Sequence, residues 1–218
     1  MNILKSPKTD PFESIGSLAL AIRTLSNGQD HCGLLYCIAP PQVTLLHLAF
    51  NHDLRHETPT DSFCWLEVAM ADPDKRLVAV LASRFGNAGN SVPYGFDSLG
   101  ISIDTQSGQL RTERKGKGLT CATLVMLLFE THGFELLKVA EWPTHANLEW
   151  QTKMLDSLRI VAPFHAKDVE ADVGARRFTP SEVVGAGSLA TWPVGFNDAR
   201  KIANRISREV RKLAPATE

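Results

Sequence analysis

The chain has 218 residues, 23 Lys and Arg against 24 Asp and Glu, and a net charge of −1. Hydrophobic residues make up 44% of it, enough for a full core, which excludes an intrinsically disordered chain. The balanced charge gives no general footprint for nucleic acid, and four scattered cysteines exclude a disulfide-stapled scaffold.

The start, MNILKSPKTDPFESIG, has no apolar stretch after its lysines, so it reads as lacking a signal peptide. The longest apolar runs, such as LVMLLF, fall far short of the roughly 18 residues that span a bilayer. A cytoplasmic protein without a membrane span is the expectation. From Pro11 to Leu25 the apolar residues Phe12, Ile15, Leu18, Leu20, Ile22 and Leu25 lie near helical spacing, which predicts a helix stopped at Asn27-Gly28. GLLYCIA (33–39) and VTLLHLAF (43–50) predict two strands joined sharply at Pro40-Pro41, because proline cannot sit in a central strand. SFCWLEVAM (62–70) alternates as a third strand.

Asp72-Pro73 opens a predicted helix with Leu77, Val78, Leu81 and Phe85 on one face. A loop follows over 86–95, then a hairpin from 100–104 and 109–113. RKGKG (114–118) reads as a flexible basic loop leading to Thr120, a suitable N-cap, and then CATLVMLLFETHG, apolar nearly all round and therefore buried. Leu148, Met154, Leu155 and Leu158 predict a helix over 147–161, and Thr179-Pro180-Ser181-Glu182 is a capping box. In 197–213, Ile202, Ile206, Val210 and Leu213 form one stripe, with six Lys and Arg on the remaining surface. The order predicts an α+β fold: one domain over 1–218, with a helical C-terminal extension from about 147.

Cys121 is the candidate nucleophile. A thiol attacks as its thiolate, and a helix N-terminus favours the negative form. The glycine-rich segment before it lets backbone approach a substrate, and amides at the helix start can face a developing oxyanion. Of seven histidines, His47 stands mid-strand between apolar neighbours, where an imidazole needs a partner, and is the candidate base. His145 is the runner-up; His132 lies about 16 Å along the cysteine's own helix and cannot reach it. If 43–50 and 62–70 pair as a hairpin, Glu67 falls near His47 and becomes the candidate orienting group, with Asn51 as the alternative.

A strand histidine, a following strand with a polar group, and a cysteine opening an apolar helix (GLTCATLVMLLFE) together resemble the circularly permuted branch of the papain-like, NlpC-type thiol hydrolases. The resemblance covers roughly 33–135. It implies an antiparallel sheet packed against the cysteine helix and acyl transfer through a thioester. Cys121 matches the nucleophile and His47 the base; Glu67 takes the third position. An amide bond in a peptide or peptidoglycan-like substrate is the first expectation, a lipid or protein-conjugate acyl bond the second. KGKGL before Cys121 departs from the pattern in lacking a polar oxyanion side chain.

Other constellations carry less. His47, His52, His56 and Asp53, with His31, Cys32 and Cys37, lack the two-to-four-residue ligand spacing of zinc sites. Gly116-Lys117-Gly118 lacks the rest of a phosphate loop. Neither a metal nor a cofactor is expected. The competing reading is a non-catalytic interaction module that captures a protein partner through the basic C-terminal helix, with Trp142, Trp150 and Trp192 lining a peptide groove.

Overall fold

A computed structural model describes residues 3–213; residues 1–2 and 214–218, the ends of the single unit expected over 1–218, lie outside the described residues. The fold is α+β. Strands β1 (Leu18–Thr24), β2 (Asp30–Ala39), β3 (Gln42–Phe50), β4 (Asp53–Glu57) and β5 (Cys64–Glu67) form one antiparallel sheet in the order β4-β3-β2-β1-β5. Helix α1 (Asp72–Asn87) follows, then the hairpin β6 (Ile101–Ile103) and β7 (Leu110–Thr112), then α2 (Cys121–Glu130). Helices α3 (Leu148–Val161), α4 (Pro163–Glu170), α5 (Pro180–Gly187) and α6 (Phe196–Leu213) complete the chain.

The helix expected over 11–25 is instead a three-residue 3-10 turn (Phe12–Ser14) and β1. Leu18, Leu20 and Ile22 point into the main core while Ala19 and Ala21 point into a second cluster with Phe12, Ile15, Phe63 and Trp65. A strand buried on both faces carries apolar residues at every position, so its period of two disappears into a run that also satisfies helical spacing. The same fact overturns the expected pairing of 43–50 with 62–70. β5 lies against β1 on one edge of the sheet, and β3 pairs with β2 and β4 towards the other.

Helices α1, α2, α5 and α6 cover the face carrying Leu20, Cys32, Leu34, Leu46 and Leu48. In α2 the buried Leu124, Val125, Leu127, Leu128 and Phe129 each contribute roughly 1.5–3 kcal/mol on leaving water, which anchors the helix against β2 and β3. Its start is set by Thr120. The Thr120 hydroxyl accepts from the Thr123 N–H at 3.2 Å, and the Thr123 hydroxyl accepts from the Thr120 N–H at 2.7 Å.

The 114–118 segment is not a free basic loop. Gly118 passes so close to 94–95 that a Cβ there would lie 2.4 Å from the backbone of Tyr94 and of Gly95. Lys117 donates to Asp97 and Asp172, both at 2.7 Å, tying the segment to the turn after α4. These glycines serve backbone against backbone rather than backbone against substrate.

The C-terminal stripe is used internally. Ile206 and Val210 are buried and α6 packs on α5 and β1. Trp142 is likewise core. Among the described residues no helix is long and apolar enough to cross a membrane.

Candidate active site

Strands β2 and β3 hold the key side chains by register. Leu34 pairs with Leu46 and Leu35 with Leu45, which sets His47 beside Gly33 and His31 one diagonal step away on the same face. Gly33 makes room for this arrangement: a Cβ there would stand 2.8 Å from the His47 Cβ. On the other side Leu45 pairs with Glu57 and His47 with Arg55, so Glu57 is the next diagonal neighbour. The three side chains form a chain across the sheet. His31 Nε2 meets His47 Nδ1 at 2.8 Å, and His47 Nε2 meets Glu57 Oε1 at 3.1 Å. Both imidazoles are buried, and the Phe63 ring packs edge-on against His47.

Donor and acceptor roles along this chain follow from its end. The Glu57 carboxylate only accepts, so His47 carries its proton on Nε2 and presents a bare Nδ1. His31 then donates from Nε2, and its Nδ1 is the basic nitrogen left over. Burial, more than offsetting the hydrogen bond to Glu57, holds the His47 pKa below the usual imidazole range. His47 is therefore a neutral link at ordinary pH.

Cys121, partly buried at the mouth of α2, interacts electrostatically with Cys32 and His31. The hydrogen bond from the Cys32 thiol comes first and those involving His31 and the Cys32 amide follow; together they outweigh burial and put the Cys121 pKa well below that of an ordinary thiol. Cys32 is displaced the other way, by the same hydrogen bond and then by burial, and keeps its proton. Burial also raises Cys37, and Cys64 to about 11. One sulfur of the four is poised to ionise.

The groups converge on a cavity of about 320 Å³. Its sheet side is made by Asp30, His31, Leu48 and Phe50, its floor by Thr120, Cys121 and Ala122, and its far wall by Trp150, Met154, Arg177 and Phe178. Thr120 occupies the Thr123 N–H, so the amides of Cys121 and Ala122 are the donors left at the helix mouth. Tyr94 also lines the cavity; burial raises its pKa far above the usual phenol value, so it stays a neutral O–H donor. Among the described residues that hydroxyl has no hydrogen-bond partner.

The sequence-predicted residues divide accordingly. Cys121 is in the cavity floor. His47 does not line the cavity; it contacts His31, which does. Glu67 is elsewhere: it faces out of the β5 edge and pairs with Lys5 at 2.6 Å. Asn51 accepts from the Tyr94 N–H at 3.0 Å and so positions the tyrosine. His145 sits in a turn against Gly174, donating its N–H to the Gly174 carbonyl. His31, Cys32, Glu57, Tyr94 and Arg177 were not singled out by sequence as parts of the catalytic site. The signal for His31 is its place two residues before Gly33 in D-H-C-G. Among the described residues no three His, Cys, Asp or Glu side chains are arranged to hold a metal ion. Comparison with family models, with curated proteins and with solved structures finds no match to this chain.

Proposed function

We propose that this protein is a cysteine-dependent hydrolase or acyltransferase acting on an amide of a peptide or peptidoglycan-like substrate, built as a permuted papain-like fold. The observation that supports the reading is the hydrogen-bonded chain from Glu57 through His47 to His31, which lines the same cavity as Cys121, whose pKa is lowered. A nucleophile, a base within reach and a group orienting that base are the requirements of covalent acyl transfer.

The steps follow from the proton positions. His31 Nδ1 takes the proton of Cys121, and the thiolate attacks the carbonyl carbon. The negative charge that develops on oxygen meets the amides of Cys121 and Ala122 and the Tyr94 hydroxyl. Collapse breaks the C–N bond, and the proton on His31 passes to the departing amine. Water, or another acceptor, gives its proton to His31 and attacks the thioester, which frees Cys121. Glu57 and His47 keep His31 in the tautomer this sequence requires.

The test is alkylation by iodoacetamide at neutral pH with sites read by peptide mass. Cys121 is modified well ahead of Cys32, Cys37 and Cys64, and His31→Ala slows that modification. Uniform slow labelling of all four cysteines overturns the reading. The interaction-module alternative is the weaker reading, since α6 packs its stripe on α5 and β1.

A further inference from the structure

Arg177 is the least explained charge near the cavity. Its guanidinium stacks on Trp150 at 3.9 Å, and among the described residues it makes no ion pair and no hydrogen bond. The two acids in its vicinity are otherwise engaged. Asp30 accepts from Thr24 at 2.9 Å and Ser207 at 2.7 Å, and Glu182 accepts from the Thr179 amide at 2.8 Å within the α5 cap. A guanidinium half-withdrawn from water with its N–H groups unmatched is costly unless an anion meets it. The ring beneath fixes its plane, which presents a flat fork of donors. The guanidinium interacts electrostatically first with Tyr94 and then with Glu182 and Cys121, and it lines the same cavity as Cys121.

We propose that Arg177, held flat on Trp150, is the specificity-determining residue of this site and binds a carboxylate that the substrate carries close to its scissile carbonyl. This deepens the acyl-transfer reading above and rests on it. A carboxylate is favoured over a phosphate for two reasons. A single guanidinium fork matches the two oxygens of one carboxylate, and Asp30 in the same cavity opposes a dianion. Beside Arg177 that wall presents Met154 and Phe178 with one hydroxyl, Ser157, so the carboxylate belongs to a group with hydrocarbon beside it, as at the end of a peptide or on a short acidic side chain.

The test uses alkylating probes of graded length: iodoacetyl-glycine, iodoacetyl-β-alanine and iodoacetyl-γ-aminobutyrate, each beside its neutral carboxamide and the corresponding phosphonate. The readout is the ratio of Cys121 alkylation rates, carboxylate over carboxamide, in wild type and in Arg177→Gln, Arg177→Met and Arg177→Lys. At one length the wild type prefers the carboxylate by about tenfold, the size of one added charge-assisted contact. Gln and Met bring the ratio near unity, Lys restores part of it, and Arg200→Gln on α6 leaves it as in wild type. A wild-type ratio no larger than that of the Gln and Met variants at every length overturns the proposal, as does a preference for the phosphonate. Slow labelling of Cys121 by every probe, neutral ones included, overturns the acyl-transfer reading instead. Because a ratio is taken within each variant, any change in the sulfur's own reactivity cancels.

Discussion

The two walls of the cavity are built on different terms. On the sheet side every ionisable group has a partner inside the protein: His31 with His47, His47 with Glu57, Asp30 with Thr24 and Ser207. On the helix side the charged complement is the Arg177 guanidinium lying on an indole, among Met154, Phe178 and the Ser157 hydroxyl. A closed set of hydrogen bonds fixes proton positions in advance, as a proton transfer requires. An open set waits for a ligand. On the proposed acyl-transfer reading, the N-terminal sheet and α2 supply the chemistry while the C-terminal helices supply selectivity. The segment from about 147 onwards contributes Trp150, Met154, Arg177 and Phe178 to the cavity lining.

The largest expected effects fall on the sheet side. Cys121→Ser removes all rapid alkylation and all turnover of a thioester-forming substrate. His31→Ala lowers the rate by about 10²–10⁴-fold, the usual loss for a positioned base. His47→Ala lowers it less, because His31 remains in the cavity with its tautomer released. If His47→Ala is as damaging as His31→Ala, the order of the chain assigned above is wrong. The wild-type rate against pH sharpens the point. With the Cys121 pKa depressed, alkylation persists below the range in which an ordinary thiol has stopped reacting, and falls only as the pH drops through that lowered value.

Next in size are substitutions that disturb how the walls are held. Gly33→Ala drives a methyl to 2.8 Å from both the His47 Cβ and the Leu46 carbonyl, atoms of a strand that cannot swing aside. Overpacking of this kind costs about 1–3 kcal/mol, read by urea denaturation, and alkylation slows along with it. Lys117→Met leaves Asp97 and Asp172 facing each other without their shared cation. Stability falls by a few kcal/mol, about 3 where such a bridge is well buried. Because Lys117 joins the 114–118 segment to the turn after α4, the carboxylate preference of the cavity weakens more than the reactivity of Cys121. Equal losses in both would mean that the walls are not separable.

Much of this was legible in the chain itself. The cysteine at a capped, wholly apolar helix, the strands at 43–50 and 101–103, the α5 capping box and the α6 stripe all follow from local patterns that the tertiary structure does not override. The base was harder. Counting back from the Pro40-Pro41 turn through Ala39 and Gln42 sets His47 opposite Leu34. An irregularity between Cys37 and Ala39 shifts the register by one, and a one-residue shift exchanges the two faces of a strand. Only with that shift does His31 fall on the same face as His47. Glu57 hides behind a second irregularity, between Leu48 and Phe50. Arg177 has no local signal, because its meaning depends on what fails to pair with it in three dimensions.

The smallest effect expected concerns acid stability, and it isolates the middle of the proton chain. His47 is buried neutral, its pKa below the unfolded value of about 6.5. As the pH falls past that value the unfolded chain takes up a proton at this position and the folded one does not, so the contribution to stability is full above it and is lost on acidification. One such group changes stability by at most about 1.4 kcal/mol per pH unit. His52 and His56 are shifted in the same direction by burial and add to the slope. The measurement is therefore a difference: urea midpoints at several pH values for wild type and for His47→Gln, which has nothing to titrate. The variant is less stable throughout, but its loss between pH 6.5 and 4.5 is shallower. Parallel curves would mean that His47 titrates as freely in the folded protein as in the unfolded chain, and the fixed tautomer of His31 would lose its support.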